Sequence, residues 1–274
     1  MTPHFGLIVI GDEILSGKRA DKHLPKFIEL LAARGLTLAY AEYVGDDPAR
    51  ITATLARAFA AARASGDVVF STGGIGATPD DHTRQCAARA LDVGLALHPE
   101  AKALIDERMR DVAKEQGVAF EPGRHDHVHR LNMGVFPLGA QIIPNPYNKI
   151  PGFSCLAGSG AVHFVPGFPV MAWPMMEWVL DQRYAAWHRA SASLEKSVIV
   201  MGSMEATLTP LMLEIEAAHA GVKVFSLPSV DHPQFGRHIE LGVKGAPEAV
   251  NTAYLALLAG LRQFDLKLGP ELVR

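Results

Sequence analysis

The densest chemistry in the sequence lies in the run Ser71-Thr72-Gly73-Gly74-Ile75-Gly76-Ala77-Thr78-Pro79-Asp80-Asp81-His82-Thr83. Three glycines allow a tight turn and close approach of the backbone to a ligand. A helix is predicted to begin at Thr78 or Pro79, and the free N–H groups of a helix start attract anions. The run therefore suits a phosphate. Asp80 and Asp81 oppose it. A like-charge pair ~4 Å apart costs about 1 kcal/mol in water and several-fold more when partly desolvated. A divalent cation shared between carboxylate and phosphate reverses that sign. Asp46 and Asp47 supply a second acidic side, and Glu13 a third acid. The expectation is an edge that binds a small phosphorylated ligand with Mg²⁺ or another divalent cation.

A purely local reading competes for Asp81. Thr78 as N-cap, Pro79 at N1 and Asp81 at N3 make a variant capping box. The two readings are compatible, and capping leaves the three glycines unexplained. The run is not the dinucleotide fingerprint, because Pro79 stands where its third glycine belongs. Nor is Gly11-Asp12-Glu13-Ile14-Leu15-Ser16-Gly17-Lys18-Arg19 a P-loop. Five residues separate its glycines instead of four, and Arg19 replaces Ser or Thr.

The elements that must position these residues alternate. Residues 6–11 (GLIVIG) form an apolar run typical of a buried parallel strand. A loop DEILSGKRA follows, then a helix from Asp21 to Arg34, with Asp21 as N-cap and Gly35 as its stop. Residues 36–44 suit a second strand. Asp47-Pro48 opens an Ala-rich helix that ends before Gly66, and VVFST is a third strand. Helices are predicted through Leu91 and from Pro99 to Gln116. Such alternation implies a doubly wound three-layer α/β domain, with its ligand site beyond the carboxyl ends of the strands. Loops 11–20, 44–47 and 72–83 then share one edge. Residues 118–168 read as loop-heavy, with short strands at 140–143 and 161–165, and a long helix begins at Pro169. Residues 188–196 read as a small-residue linker. A βαββα pattern follows, so the domains are expected at 1–188 and 196–274.

Composition narrows the function classes. With 26 basic and 29 acidic side chains, the net charge of -3 argues against a dedicated nucleic-acid binder. Apolar residues make up 49% of the 274, enough for a large core. No stretch approaches the ~20 apolar residues of a membrane span, and the N-terminus reads as a strand rather than a signal peptide. Cys86 and Cys155 are too few for a disulfide scaffold and read as buried core thiols in a cytoplasmic protein. Arg124-His125-Asp126-His127-Val128-His129-Arg130 is suggestive of metal. On a helix, however, only His125 and His129 share a face, so a solvated polar segment is the favoured reading, with the arginines as alternative phosphate contacts. The Met and Trp residues of 171–187 suit a buried helix face or a subunit contact. No nucleophile elbow is present, since Gly158-Ser159-Gly160 is too short.

The STGGIGATPDDHT run resembles the TGGxGxxxxDxT signature of the molybdopterin-binding fold. The likeness extends to the CinA-type (competence/damage-inducible protein A) branch. GDEILSG resembles that branch's opening loop, VGDDPARI its strand-to-helix turn, IIPNPYNKIPGF its Pro-Asn-Pro segment, and FVPGFPVMAWPM its Pro-Gly-x-Pro turn. The C-terminal βαββα stretch resembles the small middle domain of CinA proteins. Asp21-Lys22-His23 stands where the branch usually carries Asp-Thr-Asn, and Asn148 where it carries Gly. The branch's deamidase domain would follow the middle domain, so that activity is not expected of a chain ending at Arg274.

The resemblance implies binding of a molybdopterin- or nucleotide-phosphate-type ligand at the Gly-rich loop. The expected ligand-binding residues are Gly11, Glu13, Ser16, Gly17, Thr72, Gly73, Gly74, Gly76, Thr78, Thr83 and Asn145. It implies as an alternative a metal-dependent ADP-ribose pyrophosphatase, in which Asp46 and Asp81 hold the metal as the catalytic pair. A homo-oligomer is expected.

Overall fold

The computed structural model of the chain describes residues 3–188 and 194–274, so most of the expected linker lies outside the described residues. The chain forms two compact units, 1–188 and 189–274.

In the first unit the elements run β1 (Phe5–Ile10), α1 (Asp12–Leu15), α2 (His23–Ala32), β2 (Leu38–Val44), α3 (Pro48–Ser65), β3 (Val68–Thr72), α4 (Thr83–Leu91), β4 (Leu95–Leu97), α5 (Pro99–Glu115), α6 (His125–Leu131), β5 (Val135–Pro137), β6 (Gln141–Ile143), β7 (Gly152–Ala157), β8 (Gly160–Val165) and α7 (Pro169–Arg183). The main sheet has the order β2-β1-β3-β8-β7-β6. Its first four strands are parallel, while β7 is antiparallel to both neighbours. β4 and β5 form a separate two-stranded ribbon.

β1 is buried along its whole length, and its alternation explains why. Ile8 and Ile10 enter the core beneath α3 and α4, whereas Phe5, Leu7 and Val9 enter the one beneath α2 and α7. Each such side chain contributes about 2 kcal/mol of apolar burial. The mostly parallel sheet between two helical layers is the three-layer α/β arrangement expected from the sequence.

Local signals set several boundaries. Asp47 Oδ1 accepts the Arg50 N–H at 2.7 Å to open α3, which ends at Gly66 with φ 76. Asp21 takes the N–H groups of His23 and Leu24 at 2.8 and 3.1 Å. Two elements differ from expectation. Residues 12–15 are a one-turn helix rather than loop, and β7 lies within the stretch read as loop-heavy. Cys86 and Cys155 are buried and free, and burial pushes the Cys155 thiol up to about 12.

The second unit comprises β9 (Leu194–Met201), α8 (Glu205–Ala218), β10 (Lys223–His232), β11 (Gly236–Gly245), α9 (Pro247–Leu261) and β12 (Lys267–Val273). The sheet is antiparallel with order β10-β11-β9-β12. Leu208, Leu211 and Ile215 of α8 join Val250, Tyr254 and Leu257 of α9 in its core. β12 extends the expected βαββα pattern by one edge strand. No helix among the described residues is long and apolar enough to cross a membrane.

Candidate functional site

Three loops at the carboxyl ends of β1, β2 and β3 meet in the first unit. The amide of Gly11 donates to Val44 O at 3.0 Å. One residue on, the amide of Asp12 donates to Asp46 Oδ2 at 2.9 Å, and the amide of Asp46 returns a bond to Asp12 Oδ1 at 3.2 Å. A Cβ on Gly45 would fall on Asp12 Oδ1 and push that carboxylate off the Asp46 amide. The carboxyl of Asp46 is raised above its ordinary value, first by burial and then by the carboxylates of Asp12, Glu13 and Asp80.

The third loop is anchored at its base. The Gly73 amide donates to Val165 O at 3.1 Å, so this glycine has no amide left for a ligand. Gly73 and Gly74 have φ 94 and 67. A Cβ on Gly73 would overlap Ile10 O, and one on Gly74 would overlap Thr83 Oγ1. Thr83 donates its hydroxyl to Gly73 O at 3.1 Å and its amide to Gly74 O at 3.0 Å. These bonds start α4 at Thr83, which corrects the expected start at Thr78 or Pro79. The Thr78–Asp81 pairing survives inside the loop. Asp81 Oδ2 takes the Thr78 amide at 2.8 Å and its hydroxyl at 2.6 Å. Asp81 is thus a loop-forming residue that retains Oδ1 for other contacts.

Arg84 braces the loop from beneath. It is 4% exposed, donates Nη2 to Gly76 O at 2.8 Å and binds Asn132 O through Nη1. Burial lowers its pKa, and the Asp81 charge acts in the opposite sense. Between the anchors, the amides of Gly74, Ile75, Gly76 and Ala77 donate to no acceptor among the described residues.

These loops border a cleft of about 700 Å³, within the size range of small-molecule sites. Of the expected residues, Gly11, Glu13, Asp46, Gly73, Gly74, Gly76, Thr78, Asp81 and Asn145 line it. Ser16 and Gly17 lie in the exposed turn after α1, off the lining, while Thr72 and Thr83 are buried behind the loop. Asn145 is occupied with its own turn. Its Nδ2 donates to Asn148 Oδ1 at 2.8 Å and Ile150 O at 2.9 Å, and its Oδ1 accepts the Tyr147 amide at 3.0 Å.

Several lining residues escaped sequence reasoning. Ile10, Ile75, Met133, Ile150, Phe168 and Met171 give the cleft an apolar wall, and Lys18 and Arg19 give it cations. Phe168 is 57% exposed. The Gly167 turn is held by His23, whose Nε2 lies 2.9 Å from Gly167 O. His23 was visible in the sequence only as a departure from Asp-Thr-Asn.

Glu13, Asp46, Asp80 and Asp81 are hard oxygen donors on one lining, which suits a hard divalent cation. Among the described residues no three His, Cys, Asp or Glu side chains already converge as a metal site. The donor set therefore fits a cation that takes one or two carboxylates and completes its shell with ligand and water oxygens. The His-rich segment is helical in α6. Nε2 of His125 and of His129 lie 3.2 Å apart, while the buried His127 pairs with Asp106 at 2.9 Å.

Comparison with known proteins bears on this arrangement. Residues 6–186 match the family model described as a probable molybdopterin binding domain. A CinA-like protein of Anaeromyxobacter dehalogenans is 32% identical over 220 residues, covering 79% of this chain and 50% of that protein. A CinA-like protein of Geobacter metallireducens is 30% identical over 254 residues, covering 91% of this chain and 56% of that one. The chain spans about half the length of these curated relatives. The crystal structure of the CinA protein from Thermoplasma acidophilum, described as of unknown function, superposes with a TM-score of 0.54 at 26% identity, covering 66% of this chain and 97% of that one. The chain belongs to the family of the probable molybdopterin binding domain, with CinA-like proteins among its relatives.

Proposed function

We propose that the cleft binds a small phosphorylated ligand of the molybdopterin or nucleotide type. The observation that carries this reading is the run of four residues, Gly74 to Ala77, on the cleft lining, whose amides have no acceptor among the described residues. Consecutive N–H groups in a turn form an anion-binding concavity. The apolar wall offers Phe168 and Met171 to the ligand's ring system. Asp46 and Asp81 Oδ1 would share a divalent cation with the phosphate. When bound, that cation would neutralise the carboxylates and polarise a phosphoryl oxygen.

The carboxylates of Glu13, Asp46, Asp80 and Asp81 on one lining support a second reading, cation-dependent hydrolysis of a pyrophosphate such as ADP-ribose. Calorimetry with a pterin phosphate, AMP and ADP-ribose, each with Mg²⁺ and with EDTA, tests the first reading. Absence of binding by a pterin phosphate and by both nucleotides in every condition would sink it. Release of AMP from ADP-ribose with Mg²⁺ or Co²⁺, in the wild type against Asp81→Asn, tests the second. Turnover unaffected by the substitution would remove Asp81 from the chemistry.

A further inference from the structure

We propose that His125 and His129 form a two-histidine site for a borderline divalent metal ion of the Zn²⁺ class, on the exposed face of α6. Neither residue lines the cleft, so the site is independent of the function proposed there. The two side chains stand four residues apart on one helix, and both are exposed. Their Nε2 atoms lie 3.2 Å apart. Two Zn–N bonds of about 2.05 Å set their nitrogens about 3.3 Å apart at a tetrahedral angle, and about 2.9 Å apart at a right angle. The observed separation is close to that of two imidazoles sharing one tetrahedral ion. A hydrogen bond between the rings explains it less well. A straight N–H···N bond of that length, in line with both rings, would hold the ring centres roughly 5.5 Å apart. The centres are 4.3 Å apart and the planes cross at 66°. The bond is therefore off line for at least one ring and weak.

The helix that carries the pair is fixed from its other face. His127 is 4% exposed, its Nε2 lies 2.9 Å from Asp106 Oδ1, and its ring meets Phe120 edge-on at 5.4 Å. Arg130 Nη1 donates to Met109 Sδ at 2.8 Å. These contacts keep positions 125 and 129 towards solvent and side by side before any ion arrives. Asp126 is engaged by Arg124 Nη2 at 2.8 Å, which offsets the arginine charge next to the pair. No third His, Cys, Asp or Glu converges among the described residues, so water or a small ligand completes the shell. α6 has only seven residues, a length at which a helix is marginal by itself. An ion bridging one of its turns fastens it, since metal binding and local folding are coupled.

The test uses the metal alone on the full chain. Backbone amide resonances are followed by NMR during titration with Zn²⁺, and with Mg²⁺, which prefers oxygen donors, as the control. Zn²⁺ is expected to shift residues 125–131 along a one-site curve, and Mg²⁺ to leave them in place. In His125→Gln and in His129→Gln the affinity read from those amides is expected to fall about tenfold or more, because one imidazole left alone cannot chelate. Both substituted side chains are exposed, and an unchanged melting temperature without metal verifies the fold of each variant. A smaller loss in either variant would overturn the proposal, since the two rings would not be acting together. So would 125–131 amides that stay in place with Zn²⁺, or that shift equally with Mg²⁺.

Discussion

Asp12 and Asp46 each donate a backbone amide to the other's carboxylate, at 2.9 and 3.2 Å. This reciprocal pair ties the loop after β1 to the loop after β2 and sets two negative charges side by side. The Asp46 carboxyl is raised, so its ionised form is the costly one in the folded chain. The sign follows: the penalty is present at neutral pH and disappears as pH falls below the ordinary Asp value of about 3.9. Asp46→Asn keeps an acceptor for the Asp12 amide and removes the charge. At pH 7 the variant is expected to melt no lower than the wild type, with the difference closing below about pH 4. Cation-dependent ligand binding is expected to fall. A lower melting point at pH 7 would mean that the pair is a net stabilising latch.

Glycine at position 74 is demanded twice, by φ 67 and by Thr83 Oγ1 at the place of a Cβ. Gly117 has φ 68 and nothing within 4 Å of its Cβ. Gly117→Ala is expected to cost about 1 kcal/mol, the backbone term alone. Gly74→Ala adds the displacement of Thr83 and is expected to cost about 3 kcal/mol. Urea unfolding of the two variants measures the difference. Equal losses would show that the loop yields to the methyl without disturbing α4.

Arg84 joins two loops that are far apart in sequence, binding Gly76 O and Asn132 O. Neighbouring Met133 lies on the cleft lining. Removing the guanidinium leaves Gly76 O without its donor, at about 1–3 kcal/mol, while Asn132 O keeps the Val135 amide. Arg84→Met is therefore expected to lose about 2 kcal/mol by denaturant titration and to weaken phosphate binding. Lys cannot reproduce the fork across two acceptors, so Arg84→Lys is expected to recover less than half of that loss.

How much of this was legible in the sequence depended on how local each signal is. The apolar runs of β1 and β3, the Asp47-Pro48 start of α3 and its Gly66 stop are short-range and could be read directly. β7 could not, because GFSCLAG carries few strand formers and becomes a strand by pairing with β8. Its clue was Gly158, at φ 60 in a two-residue turn. β12 contains Gly269-Pro270, which argues against a strand; it survives at a sheet edge, with its register shifted between Leu268 and Glu271. At the cleft, the Gly-rich loop announced itself, but its anchoring did not. Arg84 reads as an ordinary helix arginine until folding brings Asn132 beside it. Lys18 and Arg19 read only as a failed P-loop until the turn at Gly17 places them on the lining.

The buried His163, which is not on the cleft lining, sets a pH dependence of its own. Its Nδ1 lies 2.8 Å from Ser154 Oγ and its Nε2 lies 2.6 Å from Tyr184 OH. Burial first, and the Arg183 charge second, depress its pKa to about 3. The unfolded chain binds a proton near pH 6.5, which the folded chain refuses down to about pH 3. Stability from this group is therefore complete above about pH 6.5 and falls as pH drops through the window between the two values. At 1.36 kcal/mol per pH unit, the loss by pH 5 is about 2 kcal/mol. His163→Gln can bond both hydroxyls and cannot take up that proton. Its unfolding free energy is expected to be lower than that of the wild type at pH 7 and to fall less steeply towards pH 5. Parallel pH profiles for the two proteins would mean that His163 takes up its proton without unfolding the core.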